Sequence, residues 1–503
     1  MNKSTQFKAD SYYDPYEDSY ELLPFRHTRL PNVPDRVLLT SHVGEYLILS
    51  DTEFKALKSF DISRHSELFK TLRTRQFICD KERGPFLKGI ASQQATRKLF
   101  AQEDPTLHIF IVTIRCDHRC HYCQVTPRLV NDSGYDMDAL TATAALDRVF
   151  ESRAPSLTIE FQGGEPALAF DTVRMIVESA EIRAAETHQN VHFVLTTTLH
   201  LLTEEMLNYC RSHKIQISTS LDGPRHVHNA NRINPGKNSY DKTIDGIARA
   251  RDICGHDSVD ALATITRHSL PYAKEIVDCY LDLGFTSIAA RPISPFGFAV
   301  KSEKRIGYSV GAYLKFYREL LDYLININLS GTNIEESYAS LLLTRILTPF
   351  PTAYVDLQSP SAAGTNVLAY NYDGGVYVSD EGRMLAEMGD NRFRMGSVHD
   401  ELTSLRSSKA MAIIKKSGTA EKLPVCSDCA FVPYCGADPV LNVATQNDPV
   451  GDRETSEFCQ RHTGLFQILF EYLESGDPDV MRVFLSWISR HDISKIPQAG
   501  YMV

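Results

Sequence analysis

Leu107-His-Ile-Phe-Ile-Val-Thr-Ile114, followed by Cys116-Asp-His-Arg-Cys120-His-Tyr-Cys123, is the stretch that decides how the chain is read. The first part is short, β-branched and free of Gly and Pro, which predicts a buried strand. The three cysteines, spaced CxxxCxxC, then fall on the loop at the strand's C-terminal end, where α/β folds carry their chemistry. Three thiolates on one loop meet a metal at little entropic cost. An iron–sulfur cube takes four ligands, and so as a rule does zinc. A local count of three leaves one iron open to a small molecule, or asks for a distant fourth ligand to zinc.

Outward from this stretch, strands and helices alternate from residue 106 to about 330. Strands are predicted at Leu107–Ile114, Leu157–Phe161, His192–Thr197, Ile215–Ser220, Ala261–Ile265 and Ser287–Arg291. Helices are predicted at about 138–152, 170–187, 203–213, 239–253, 270–283 and 311–328. Such alternation implies a parallel sheet with outer helices, closed as a barrel or open and doubly wound. Polar or small residues follow each strand: Gln162-Gly-Gly-Glu-Pro166, Thr196-Thr-Thr198, Ser218-Thr-Ser-Leu-Asp-Gly-Pro224 with His228 and Arg232, Thr264-Ile-Thr266-Arg267, and Arg291-Pro292. The two glycines of the first allow close backbone approach to a ligand, and its glutamate can accept from an ammonium.

N-terminal to this, Arg36–Ser50 reads as two strands around a turn at His42-Val-Gly44, then a helix capped by Asp51 or Thr52 and a second helix over Ser66–Arg73. An exposed strand edge there can capture an extended peptide; a purely structural cap is the plainer role. C-terminal to it, a helix is predicted at 334–347 and a hairpin around Asp373-Gly-Gly375. Cys426, Cys429, Cys435 and, further on, Cys459 form a second thiol group, and residues 464–503 read as helical.

Composition bounds the rest. Hydrophobic content of 43% with 23% charge, at 503 residues, is that of a globular protein of several domains. A net charge of −10 gives no reason to expect nucleic-acid binding. No apolar run approaches a membrane span, and the first residues lack the apolar core of a secretory signal. Eleven cysteines, seven of them in two groups with metal-like spacing, imply reduced thiolates and hence a cytoplasmic protein. Cys210 and Cys279 fall in helical patterns and read as small core residues. His118 and His121 carry no predicted ligand role.

CxxxCxxC with Tyr122 before its last cysteine, and Gly-Gly-Glu about 40 residues on, resembles the radical S-adenosylmethionine (SAM) enzymes. The resemblance implies a partial (β/α)6 barrel, a [4Fe-4S] cluster held by Cys116, Cys120 and Cys123, and SAM on its open iron. Gly163, Gly164 and Glu165 match the stretch that holds the SAM amino group. Ser220 and Arg232 match positions at its carboxylate and ribose; Asp222 belongs to the same stretch and is either a ligand contact or a turn residue. Thr196-Thr-Thr198 departs from the Asn-Gly that relatives often carry.

The later cysteines resemble the SPASM extension, where Cys426, Cys429, Cys435 and Cys459 would ligate one auxiliary [4Fe-4S] cluster. Ser379 and Pro439 stand where the two-cluster pattern has cysteines, so the inner auxiliary cluster is expected to be absent. Asp380 matches a candidate general base of sulfatase-maturing relatives, or is a turn aspartate that caps Glu381-Gly-Arg383. The implied organisation is an N-terminal α+β domain (1–100), a radical SAM core (101–330), a connector with SPASM-like domain (331–463) and a helical segment (464–503). The implied activity is formation of a 5′-deoxyadenosyl radical that modifies a ribosomally made peptide or small protein, with an external electron donor. Leu22-Leu-Pro-Phe-Arg, Val37-Leu-Leu-Thr with Gly44-Glu-Tyr, and Tyr372–Leu385 resemble more narrowly the HxsB family of His-Xaa-Ser system maturases, which implies a His-Xaa-Ser-rich substrate and a second radical SAM partner enzyme. A formylglycine-forming sulfatase maturase and a non-catalytic zinc scaffold are the alternatives.

Overall fold

The computed structural model describes residues 20–79, 83–352 and 355–497. Residues 1–20, whose Asp, Tyr and Ser content reads as a loose leader, lie, but for Tyr20, outside the described residues.

Phe25–Leu30 (β1), Val33–Ser41 (β2) and Tyr46–Ser50 (β3) form an antiparallel sheet in that order. Its turn closes at Gly44, whose φ of +83° is left-handed. Ser50, rather than Asp51 or Thr52, caps the helix Asp51–Lys58: its hydroxyl accepts from Glu53 N–H while the Glu53 carboxylate accepts from Ser50 N–H, a capping box. Phe54 and Leu57 of that helix and Phe69 and Leu72 of the helix Glu67–Thr74 bury against Val37, Leu39 and Leu49.

Six parallel strands follow, each paired with its sequence neighbour: Leu107–Thr113 (β4), Ser156–Gly163 (β5), Asn190–Thr196 (β6), Gln216–Ser220 (β7), Val259–Thr264 (β8) and Ala290–Arg291 (β9). Helices Ala139–Val149, Phe170–Thr187, Glu204–Ser212, Ser239–Cys254 and Ala273–Asp282 lie between them, and Val310–Leu329 follows the last. The predicted sixth strand is broken. Ser287–Ile288 leaves the barrel to pair with Glu335–Glu336, and only Ala290–Arg291 stays on β8. Buried Glu336 sits at the break and accepts from Ala290 N–H at 3.1 Å. Two helices that the sequence reading did not anticipate, Arg225–Asn231 and Gly297–Ile306, sit at the strand ends.

On the other side of β4 the sheet continues into the C-terminal half. Val367–Tyr370 (β10) runs parallel to β4, with Ile109 opposite Ala369, and Gly375–Tyr377 (β11) and Arg394–Ser397 (β12) add antiparallel. The nine-stranded order is β9-β8-β7-β6-β5-β4-β10-β11-β12. β4 is thereby central and buried from its second residue onward, which is why it carries the longest apolar run. Helices Glu457–Ser475 and Pro478–Ser489 pack on Val310–Leu329 and Ser337–Leu347 and bury Trp487. Among the described residues no helix is long and apolar enough to cross a membrane.

Candidate active site

The loop after β4 is fixed by its own backbone. Arg119 N–H donates to Ile233 O at 2.7 Å, His121 N–H to Asn231 O at 2.9 Å, and Cys123 O accepts from Ala299 N–H at 2.9 Å. The two unanticipated helices thus bracket the cysteines. Gly297 permits this: a Cβ there would stand 2.1 Å from Gln124 O. Burial raises all three thiols, that of Cys120 up to about 12 and that of Cys116 well above the usual cysteine value. Three desolvated thiols on one loop ionise at neutral pH only beside a cation, which a bound metal would supply.

Tyr122, Asp222 and Arg232 form one buried unit beside them. Asp222 Oδ1 accepts from Tyr122 Oη–H at 3.0 Å and from Thr264 N–H at 3.1 Å, and Tyr122 Oη accepts from Arg232 Nη1 at 2.9 Å. Burial lifts the Asp222 carboxyl to about 6. Asp222 Oδ2 and Arg232 Nε have no hydrogen-bond partner among the described residues. Ser220 ends β7 on the same rim.

Gly163 and Gly164 serve backbone packing. A Cβ on Gly163 would lie 1.9 Å from Thr113 O, one on Gly164 2.1 Å from Arg115 O, and Gly164 and Glu165 N–H donate to those same carbonyls. Glu165 is wholly buried. Its Oε1 accepts from Thr197 Oγ1 at 2.7 Å and Ala167 N–H at 3.0 Å, and its Oε2 from Thr198 N–H at 2.6 Å. Its carboxylate therefore braces β5 against the end of β6. Within Thr196-Thr-Thr198, a departure in sequence, Thr197 and Thr198 are what Glu165 holds.

His118 is neither solvated nor bonded to backbone through its ring. It is buried, 2.9 Å from both Asp117 Oδ1 and Ser239 Oγ.

The lumen carries groups that the motifs do not mark. Glu160 accepts from Gln162 at 2.7 Å and Thr196 Oγ1 at 3.0 Å, and burial raises its carboxyl. Asp380 and Arg291 are close enough to act on it, in opposite directions. The signal was the alternation Thr158-Ile-Glu160-Phe-Gln162, polar on the inward face only. Asp380 opens the helix Asp380–Glu387, capped by Ser379, and Arg383 Nε donates to its Oδ1 at 2.9 Å. Glu381 is pushed up to about 7 by burial and by Asp356 and Asp380.

Cys426, Cys429 and Cys435 lie on one loop and Cys459 near the start of the helix Glu457–Ser475. Burial raises the first three, and each of those three is electrostatically perturbed by Cys459. Among the described residues the group of metal-ligating side chains with donor atoms all within 4.8 Å is Asp117, His118 and His200. Neither thiol set is drawn as tight as tetrahedral zinc would hold it, at about 3.8 Å between sulfurs for Zn–S of about 2.3 Å. The soft thiolate donors suit iron–sulfur clusters.

The sequence profile of the radical SAM superfamily matches residues 110–278. An uncharacterized protein of Methanothermobacter thermautotrophicus is 30% identical over 227 residues, 44% of this chain and 78% of that protein. The chain belongs to the radical SAM superfamily. A cysteine-type anaerobic sulfatase-maturating enzyme of Clostridium perfringens is 22% identical over 376 residues, 71% of this chain and 94% of that enzyme. Among solved structures, native anSMEcpe with bound AdoMet aligns with a TM-score of 0.61 at 19% identity, covering 76% of this chain and 99% of that one. SuiB of Streptococcus suis bound to precursor peptide SuiA aligns with a TM-score of 0.52 at 15% identity, covering 88% and 100%. The radical SAM α/β fold, with its parallel sheet, is therefore that of the chain, and the protein is an enzyme. The family implies a [4Fe-4S] cluster and SAM.

Proposed function

We propose that this radical SAM enzyme modifies a ribosomally made peptide or small protein, with Cys116, Cys120 and Cys123 holding the SAM-binding cluster and Cys426, Cys429, Cys435 and Cys459 an auxiliary one in a SPASM-like domain. The observation that carries the reading is the set of three thiols, Cys120 buried and Cys116 and Cys123 part-buried, on one backbone-bonded loop at the end of the central strand. Bound together, cluster and SAM supply one-electron cleavage of the sulfonium and, through it, hydrogen abstraction from unactivated carbon. The chain's own residues orient and enclose. Gly163, Gly164 and Glu165 keep the β5 end flush with the cysteine loop, and Ser220, Asp222, Arg232 and Tyr122 offer hydrogen-bonding groups around SAM. Asp380 is the catalytic carboxylate: Arg383 fixes its Oδ1, leaving Oδ2 to accept a proton. Helix Gly297–Ile306 and the β10–β12 extension close the site against water.

A peptide substrate is supported by the sheet β1–β3 and by the likeness to SuiB bound to its precursor peptide and to anSMEcpe with bound Kp18Cys peptide. The narrower reading, a His-Xaa-Ser-rich substrate with a second radical SAM enzyme as partner and an external electron donor, rests on the stretches from Leu22 to Leu385 quoted above. Against a sulfatase-type maturase stand Ser379, an N-cap, and Pro439, the first residue of the helix Pro439–Gln446, where that pattern has cysteines.

The test is anaerobic reconstitution and dithionite reduction. The wild type is expected to hold about eight irons with matching sulfide, from two four-iron clusters, and to release 5′-deoxyadenosine. Cys120→Ala should keep about four irons and release none. Co-expression with a His-Xaa-Ser-rich small protein should give a peptide mass change that this variant abolishes. Intact clusters with no deoxyadenosine would refute the enzymatic assignment, and deoxyadenosine with an unchanged peptide would refute the substrate.

A further inference from the structure

A cleft away from the barrel is lined by the N-terminal unit (His42, Arg97, Lys98), the helix Ser337–Leu347 with the chain that follows it (Arg345, Gln358, Ser359), Glu421, and the loop bearing Cys435. It encloses about 70 Å³, room for one small oxyanion with a few waters. Its charges do not balance. Glu421 is already paired with Lys98 at 2.6 Å and accepts from Ser359. That leaves two guanidiniums. Arg97 has no hydrogen-bond or ion-pair partner among the described residues, and its Nη1 lies over Gly44, 2.5 Å from where a Cβ would stand. Arg345 spends Nε on Tyr434 O at 2.6 Å and Nη1 on Thr352 Oγ1 at 3.2 Å, and has no carboxylate partner among the described residues.

Two guanidiniums facing one part-buried space are costly unless an anion joins them. The acidic groups that reach them act at a distance, Cys435 and Glu421 on Arg345 and Glu45 on Arg97, and none is bonded to either guanidinium among the described residues. Planar, forked donors suit phosphate and carboxylate geometry in particular. His42, kept neutral by burial and by Arg26, adds a ring nitrogen, and Gln358 Oε1 is buried without a partner, ready for the hydroxyl of a protonated phosphate or a water.

We propose that this cleft is an oxyanion site in which Arg97 and Arg345 clasp a phosphate- or carboxylate-class group at the seam between the N-terminal unit and the Cys435 loop. The site needs neither SAM nor the radical chemistry, so it stands or falls separately from the function proposed above. Occupation would join the two elements that carry the arginines and stabilise the seam.

Full-length protein with its iron is titrated with inorganic phosphate and, separately, with acetate, against chloride at constant ionic strength, and followed by thermal unfolding. The wild-type Tm should rise with ligand concentration by mass action. In Arg97→Gln the apparent affinity should fall at least tenfold with iron content unchanged. A response in the phosphate arm alone names a phosphate-bearing ligand; a response to acetate names a carboxylate. Because Arg345→Gln also frees the buried Tyr434 carbonyl, the deciding variant is Arg97→Gln, whose guanidinium makes no bond among the described residues. Equal responses of wild type and Arg97→Gln in both arms overturn the proposal. So does loss of iron from Arg97→Gln, which would make the arginine a counter-charge for the thiolates instead.

Discussion

Asp380 and Arg383 show how much a single side chain's meaning depends on its neighbour. Asp380 follows Ser379, at a place where an acid is a candidate base, and the adjacent sequence gives no sign that three residues later a wholly buried arginine takes one of its oxygens. Arg383 Nη1 and Nη2 have no hydrogen-bond partner among the described residues, so the pair is anchored through Nε alone. If Asp380 accepts a proton during peptide modification, Asp380→Asn should lower product formation by about 10²-fold or more while 5′-deoxyadenosine release persists. Liquid chromatography of both products from one reaction checks this. An Asn variant as productive as wild type would assign Asp380 to holding Arg383.

At the scale of elements, β4 is held from both sides by contacts that the CxxxCxxC reading leaves out. Gly163, with φ of +136° and Thr113 O under its missing side chain, admits no methyl group. Gly163→Ala should cost about 3 kcal/mol or more and displace the cysteine loop, seen as a lower Tm with reduced iron uptake. On the opposite side His108 is buried, its Nδ1 3.0 Å from Tyr370 Oη across the β4–β10 pair. Burial lowers its pKa to about 4, below the ordinary histidine value. The native state therefore resists a proton that the unfolded chain takes. Its stability is full above about pH 6.5 and falls as the pH drops toward 4, by up to about 1.4 kcal/mol per pH unit. Between pH 7.5 and 5 the wild type should lose about 2 kcal/mol more than His108→Gln, measured by urea unfolding at the two pH values.

For the whole molecule, the N-terminal unit is latched to the auxiliary cysteine loop. Arg26 Nε donates to Ser427 O at 2.5 Å, buried Thr40 Oγ1 to Ala430 O at 2.7 Å, and Tyr434 Oη to Gly44 O at 3.1 Å. Ser427, Ala430 and Tyr434 each adjoin a candidate cluster ligand in sequence, so order in the loop and order in the sheet β1–β3 are one property. Cys429→Ser should halve the iron and raise amide exchange across Val33–Ser41 while leaving Asn190–Thr196 protected. Exchange unchanged at both would separate the two units.

The chain alone determined the alternation of strands and helices, both thiol groups and the two hairpins, because periodicity, β-branching, glycine turns and CxxC spacing are local properties of sequence. It did not disclose that β10 joins β4 in one sheet, that the sixth strand breaks at Glu336, or that Glu165 turns inward to brace Thr197 and Thr198. Nor did it reveal that Arg97 and Arg345, 248 positions apart, line one cleft. Those facts concern which buried polar groups find partners far along the chain. Only the folded packing settles them, since desolvation makes each such group bind whatever donor or acceptor the tertiary structure brings within reach.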